Sequence, residues 1–484
     1  MDKDLLSIQE ARDLAEAAYQ AQLVWGHASQ DEVDRVCSTM ADAAFQASGR
    51  LGQLAHEETG YGVAAHKKLK NELGSRIVWE SIKNVRTVGV IRQDEQRRIF
   101  DIAWPMGVIV ALTPSTNPTS TAMFKVISAV KARNAIVVAP HPSALHCTYE
   151  TVSLMRQAAE KAGAPANLIS CMQIVSLQGT QELMEHMRVR LILATGGSAM
   201  VKAAHSVGKP AYGVGPGNVP VYVDRSADLE KAARYIVASK AFDCSTICAT
   251  EQAVIADRPI AQKLAQLMQS EGAYFADEQQ TDLLRKLLFN SQGSINTATV
   301  GKPAQILAGM AGFSIPQSAR IIVTRLDKTG ESEPLSREKL TTALGWYEED
   351  GWEAGCERSI ALIMFGGRGH TQIIHAQDER VILAFGLEKP VFRILVNTMG
   401  TLGAVGLTSG LMPSMTLGSG GEGGSITGDN ITVHHLYNVK RLAYELSPPP
   451  DSAMRVPLQN AEALNTQEIE VLVRKVVQEI INQK

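Results

Sequence analysis

The chain lacks several features that would have settled its class at once. It has no uninterrupted apolar run near the roughly 18 residues of a membrane span, so no transmembrane protein is expected. Its start, MDKDLLSIQEARDL, has no basic stretch leading into an apolar core, so no secretory signal is expected. It has no charge excess. A net charge of −3 gives no reason to expect nucleic acid or an anionic membrane surface as a partner. Cysteine is sparse: Cys37, Cys147, Cys171, Cys244, Cys248 and Cys356 are scattered along 484 residues without the paired spacing of a disulfide scaffold. A reducing, cytoplasmic setting follows. What remains is a composition of 45% hydrophobic and 20% charged residues, ordinary for a globular enzyme, in a chain long enough for two or three cores.

The hydrophobic pattern organises that length. Helical spacing with polar faces fills the stretch to about residue 80. From Pro105 short apolar runs alternate with helical ones. MGVIVALTP, NAIVVAP, LISCMQIV, RLILATGG and VPVYVD read as buried strands, and TSTAMFKVISAVKAR, TYETVSLMRQAAEKAG, QELMEHMRV and SAMVKAAHSVG as helices. This alternation predicts βαβ units in a doubly wound parallel sheet. After Asp224 the rhythm restarts with SADLEKAARYIVASKAF, the two-cysteine loop and the strand QAVIAD, predicting a second α/β domain.

The last stretch differs. Residues 447–465, SPPPDSAMRVPLQNAEALN, read as a proline-rich linker. Beyond it Ile469, Leu472, Val473, Val476, Val477, Ile480 and Ile481 fall at i, i+3, i+4, i+7, i+8, i+11 and i+12, one apolar stripe on a helix. Asn465 with Glu468 three residues on resembles a capping pair.

Four segments carry candidate chemistry. AFDCSTICATEQAVIAD, residues 241–257, holds two cysteines four apart, compatible with a metal clip, a disulfide, a nucleophile or an inert pair. No second Cys/His pair accompanies them, which argues against structural zinc. Cys248 lies nearer the following strand and so on the firmer mount. LILATGGSAMVKAA has the order strand, Gly196-Gly197, helix, with Ser198 as expected cap. Its free amides either face a cofactor pyrophosphate or make a plain βα turn. YGVGPGN has glycines in the wrong order for a dinucleotide fingerprint and reads as a tight helix-to-strand connection. Asn117, in TPSTNPTSTAMF, sits at the carboxyl end of a strand, where its amide either donates to an oxyanion or satisfies its own turn.

Taken together, FDCSTICATEQAVIAD, TPSTNPTSTAMFK, NAIVVAPHPSA, ILATGGSAMVKAA, GVGPGNVPVYVD, LSREKLTTAL and GGRGHT resemble, in order and spacing, the CoA-acylating branch of the aldehyde dehydrogenase superfamily. The resemblance runs from the first helices to about residue 446. It implies an α/β fold with a Rossmann-type cofactor domain, an α/β catalytic domain and an oligomerisation arm. The expected limits are 1–228, 229–412 and 413–446, followed by the linker 447–465 and a targeting helix 466–484. By the resemblance Cys248 is the nucleophile and Asn117 the oxyanion amide. Thr113, Pro114, Pro140, His141, Thr195, Gly196, Gly197, Ser198, Glu338 and Leu340 form the cofactor site, Glu338 holding the nicotinamide ribose. Pro140 and His141 stand where hydrolytic relatives carry a ribose-binding lysine, and Cys244 matches no catalytic residue.

One departure shapes the expected reaction. Where hydrolytic relatives carry a water-activating glutamate this chain has Gly213, and a glycine cannot act as a base. A left-handed backbone would be one reason for a glycine there. The resemblance therefore implies oxidation of a short-chain aldehyde, such as propanal or acetaldehyde, to its acyl-CoA. NAD⁺ is the expected cofactor, with NADP⁺ left open, and coenzyme A the co-substrate. A homo-oligomer, dimer or tetramer, is expected. The amphipathic tail resembles the encapsulation peptides that bind microcompartment shell or cargo proteins, which would place the enzyme in a microcompartment lumen. The alternatives are a hydrolytic aldehyde dehydrogenase, against which Gly213 speaks, and a catalytically silent scaffold, against which Cys248, Asn117 and Glu338 speak.

Overall fold

A computed structural model describes residues 2–290, 292–454 and 465–482. In chain order the strands are β1 (Val90–Asp94), β2 (Ile99–Pro105), β3 (Val108–Thr113), β4 (Ala135–Pro140), β5 (Ile169–Cys171), β6 (Val189–Thr195), β7 (Ala211–Val214), β8 (Val219–Val223), β9 (Glu251–Asp257), β10 (Ala273–Phe275), β11 (Ile321–Arg325), β12 (Ala343–Glu349), β13 (Gln372–His375), β14 (Ile394–Val396) and β15 (Tyr437–Ala443). They form a five-stranded sheet of order β5-β4-β3-β6-β7, a seven-stranded sheet of order β10-β11-β12-β9-β8-β13-β14 and a three-stranded sheet of order β1-β2-β15. Both large sheets are parallel.

Parallel pairing explains the sequence. Helices cover both faces of such a sheet, so its central strands are apolar throughout. Every residue of β3, β4 and β9 is buried. The helix Pro118–Lys131 that links β3 to β4 is buried over its whole length. Lys125 lies inside it, and burial pushes its pKa far down. Its Nζ donates to the carbonyls of Leu112 at 2.7 Å and Leu193 at 2.9 Å, tying β3 to β6. A buried nitrogen with two acceptors is tolerated where a bare one would be costly.

Contacts divide the chain into two units, Met1–Ile91 with Ile102–Lys440, and Arg92–Asp101 with Arg441–Lys484. In the first unit, Val405, Met415, Ile431, Val433 and Leu436 return to the core of the five-stranded sheet. In the second, Phe100 packs edge-on against Tyr444, and Arg441 pairs with Asp101 at 3.3 Å. It also contains the helix Thr466–Ile481, in which no residue is buried. Asn465 and Glu468 form the expected reciprocal cap, with bonds of 2.9 Å each way. Asp451–Met454 makes one helical turn in the linker, and residues 455–464 lie outside the described residues.

The structure corrects the sequence reading at three strands or groups of strands. VPVYVD, expected to close the first α/β unit, is β8 and pairs with β9 and β13 in the larger sheet. The last strand of the five-stranded sheet is β7, which runs into the start of YGVGPGN, so that segment opens as a strand leading into a connection and not as a helix-to-strand turn. Four residues including a glycine carry too little periodicity to be seen. The strands β1, β2 and β15 were not anticipated. β1 and all of β15 beyond Tyr437 are mostly exposed, and exposed strands give a weak apolar signal.

Candidate active site

The carboxyl ends of the five-stranded sheet collect most of the expected cofactor residues. Thr113 ends β3 directly beside Pro140, which ends β4, and Thr195 ends the neighbouring β6. In open parallel sheets this edge is where ligands bind. Thr113 Oγ1 is buried there without a hydrogen-bond partner. His141 accepts the Ser143 amide through Nδ1 at 3.2 Å, and burial lowers its pKa. After β6, Gly196 and Gly197 lead into the helix Ser198–Ser206. Gly197 holds the cap position in place of the expected Ser198, and its Cβ position is open space. A helix start with free amides, an approachable backbone and an unpaired hydroxyl nearby suit a dinucleotide pyrophosphate.

The β3–helix loop then brings Asn117 to the cysteine segment. Asn117 Nδ2 donates to the Thr246 carbonyl at 3.0 Å and to Thr116 Oγ1 at 3.2 Å. Two residues on stands Cys248, half-buried, while the other five cysteines are buried. All six are free thiols, so Cys244 and Cys248 are not joined. The loop is strained: Asp243, Cys244 and Ser245 have φ of 47°, 50° and 67°. Three consecutive left-handed side-chain-bearing residues cost on the order of 1–2 kcal/mol each. Their surroundings hold them there. Asp243 is fully buried and accepts the Val63 amide at 2.7 Å, Thr246 Oγ1 at 2.6 Å and Lys67 Nζ at 3.2 Å. Lys70 Nζ also contacts it.

On the other side of Cys248 lies the connection from β7 to β8. Gly217 is pressed so closely on the Cys248 carbonyl and on His370 Nδ1 that no Cβ fits. Its amide donates to Glu338 Oε1 at 3.0 Å. Burial pushes the Glu338 carboxyl up to about 7. The Cys248 thiol is pushed up to about 12, first by burial and then by Glu338, with Arg393 and local amides pulling the other way. The structure thus gathers Cys248, Asn117 and Glu338 around one loop. Leu340 follows in the same segment with φ of 46°, its carbonyl accepting the Gly301 amide at 2.9 Å.

Gly213 is buried in β7 and does not have a positive φ. A Cβ there would meet Val201 Cγ1 at 2.6 Å and His205 Nε2 at 2.5 Å. The glycine answers to close helix packing, not to left-handed backbone. Five residues around Cys248 were missed from sequence. Lys67, Lys70 and Asp243 look like ordinary polar positions of a helix and a loop. His370, inside GGRGHT, and Arg393 are buried, and burial lowers their pKa values to about 3 and about 10.

Comparison with known proteins places this architecture. The aldehyde dehydrogenase family profile matches residues 5–276. The acetylating succinate-semialdehyde dehydrogenase of Clostridium kluyveri is 37% identical over 434 residues, 90% of this chain and 95% of its own. An acetylating aldehyde dehydrogenase of Geobacillus thermoglucosidasius superposes with a TM-score of 0.92 at 47% identity, covering 93% of this chain and 99% of that one. A propionaldehyde dehydrogenase from the fucose-utilisation microcompartment of Clostridium phytofermentans superposes at 0.80 with 29% identity, covering 89% and 96%. The chain spans about half the length of the aldehyde–alcohol dehydrogenases that it also matches. Fold, sequence match and the ordered segments around Cys248 agree: this chain belongs to the aldehyde dehydrogenase family.

Proposed function

We propose that the chain oxidises a short-chain aldehyde, propanal or acetaldehyde, to its acyl-CoA with NAD⁺ and coenzyme A, reversibly, through a thioester on Cys248. The observation that carries this reading is the pairing of a half-buried Cys248 beside Asn117 with a glycine at 213. The Cys248 thiolate, its proton released to solvent, adds to the aldehyde carbon as the C=O electron pair moves onto oxygen, giving a thiohemiacetal alkoxide. Asn117 Nδ2 and the Cys248 amide are the donors for its oxyanion, the longer contact to Thr116 Oγ1 being the one given up. A bound nicotinamide would supply the hydride acceptor that turns this alkoxide into a thioester. Thr113, Pro114, Pro140, His141, Thr195 and the Gly196–Ser198 turn would hold the dinucleotide, and Glu338 and Leu340 its nicotinamide end. With no acid at 213 to activate water, the thioester persists until a CoA thiolate exchanges with it.

The acetylating names of the Clostridium kluyveri and Geobacillus relatives support acylation. The microcompartment origin of the Clostridium phytofermentans neighbour supports a lumenal setting, with the helix Thr466–Ile481 as the segment that meets shell or cargo proteins. The exposed strand β15, carrying Val439 and Leu442, suits an oligomerisation arm. Residues 1–228 serve as the cofactor domain and 229–412 as the catalytic domain, except that β8 joins the sheet of the latter.

The test measures NADH from an aldehyde series with and without CoA. Steady turnover is expected only with CoA, with at most one NADH per site without it. Cys248→Ser abolishes oxidation and Cys244→Ser retains most of it. Continued NADH formation with free acid in the absence of CoA would overturn acylation, and equal loss in both cysteine variants would overturn the choice of nucleophile.

A further inference from the structure

Beneath the nucleophile loop lies a buried cluster that the reaction as described does not use. Lys67 and Lys70 project from one face of the helix Ala64–Glu72, at 2% and 4% exposure. Both converge on Asp243. Lys67 Nζ also donates to the Thr116 carbonyl at 3.3 Å. Lys70 Nζ donates to Asn117 Oδ1 at 2.5 Å and to Thr246 Oγ1 at 3.3 Å. The cluster therefore grips both sides of the oxyanion site, the loop before Asn117 and the loop before Cys248.

The chemistry of an amide explains why this matters. Asn117 presents a donor end and an acceptor end, and only Nδ2 can stabilise a developing oxyanion. If the group turned over, Oδ1 would face the oxyanion and repel it. A cation fixed on Oδ1 blocks that turn. It also polarises the amide and makes its N–H a stronger donor. Lysine has no acceptor, so it can bind only the oxygen end.

We propose that Lys70 is a positioning residue for Asn117: by holding Oδ1 it directs Nδ2 toward the Cys248 loop, and buried Asp243 anchors the Lys70 ammonium. The proposal rests on the reading of Asn117 as the oxyanion donor. Burial opposes the Lys70 charge and brings its pKa down to about 8, while Asp243 restores part of it and Lys67 opposes it. The ammonium is thus the main form at neutral pH. Gly62, at φ +68°, belongs to the same device, because any Cβ there would strike the Asp243 carboxylate.

A double-mutant cycle on the full-length enzyme, with propanal, NAD⁺ and CoA, tests it. Lys70 borders a small apolar cavity with Leu73, Phe242 and Ile247, so Lys70→Met fits the space. Lys70→Met is expected to lower kcat roughly 10- to 100-fold, part of the ~10²–10³ seen when an oxyanion donor is lost, with the propanal KM within about twofold. In an Asn117→Ala background the same change is expected to cost less than about twofold, since its effect passes through Asn117. Lys70→Gln, which keeps a donor for Oδ1, recovers part of kcat, and the rate of Cys248 alkylation by iodoacetamide stays at the wild-type value. Full multiplication of the two losses, or an unchanged kcat in Lys70→Met, overturns the proposal and leaves the oxyanion reading standing. Full activity in Asn117→Ala overturns both. Should Lys70→Met not fold, Lys70→Gln carries the cycle, its kcat loss either vanishing in the Asn117→Ala background or overturning the proposal.

Discussion

Glu338 accepts the Gly217 amide hydrogen through Oε1 at 3.0 Å, and Gly217 in turn is packed on the Cys248 carbonyl. One carboxyl thus fixes the backbone beside Cys248 and, when ionised, opposes the formation of its thiolate. Glu338→Gln keeps an oxygen acceptor for Gly217 and removes the charge. The pH profile of Cys248 alkylation is expected to move to lower pH by up to about one unit. The two enzymes should differ most above about pH 7, the value to which burial raises Glu338 and above which it ionises, and converge below it. A shift to higher pH would show that Glu338 assists ionisation instead.

His370 gives an acid-stability prediction with a fixed sign. It is buried, its Nε2 has no partner, and burial, then Arg393, lowers its pKa from 6.5 to about 3. The native state therefore refuses a proton that the unfolded chain takes between those values, and its stability falls as pH drops through that window. His370→Gln removes this term. Relative to wild type, the variant is expected to gain about 1.4 kcal/mol for each unit of acidification below about pH 6. Urea midpoints at pH 7 and pH 5 check it, and parallel losses in the two proteins would show that His370 is not held neutral.

Gly213→Glu is expected to fail as a route to hydrolysis. The side chain would be driven into Val201 and His205 on the helix Ser198–Ser206. Overpacking of this kind costs roughly 1–3 kcal/mol, read as a lower Tm, with no free acid formed in the absence of CoA. Sustained acid release would mean that the strand repacks to aim the carboxylate at Cys248.

Truncation after Leu446 should leave kcat per site and Tm nearly unchanged, because the helix Thr466–Ile481 buries nothing. Its apolar stripe needs a surface, and burying one could contribute several kcal/mol at roughly 25 cal/mol per Å² before ordering costs. Fusion of residues 447–484 to a soluble reporter is expected to bring the reporter to microcompartment shell or cargo assemblies in co-sedimentation. Loss of oligomer and activity on truncation would make the tail structural.

The α/β alternation, the strands β3, β4, β6 and β9, the capped tail helix and the glycine turn after β6 were legible because each is local. Periodicity, caps and turn residues act over a few positions, and a single chain displays them in order. The proposed roles of Cys248 and Asn117 rest on resemblance, since a cysteine and an asparagine by themselves have several uses. Tertiary structure decided the rest. β8 belongs to the larger sheet because pairing partners, not strand propensity, choose a sheet. Gly213 and Gly217 are glycines because distant residues approach them. Lys67 and Lys70 look like solvent-facing lysines of a polar helix, and become the buried support of Asn117 only when folding places Asp243, 176 and 173 residues further along the chain, against them. Charges interact through space, so a sequence records their signs and leaves their partners to the fold.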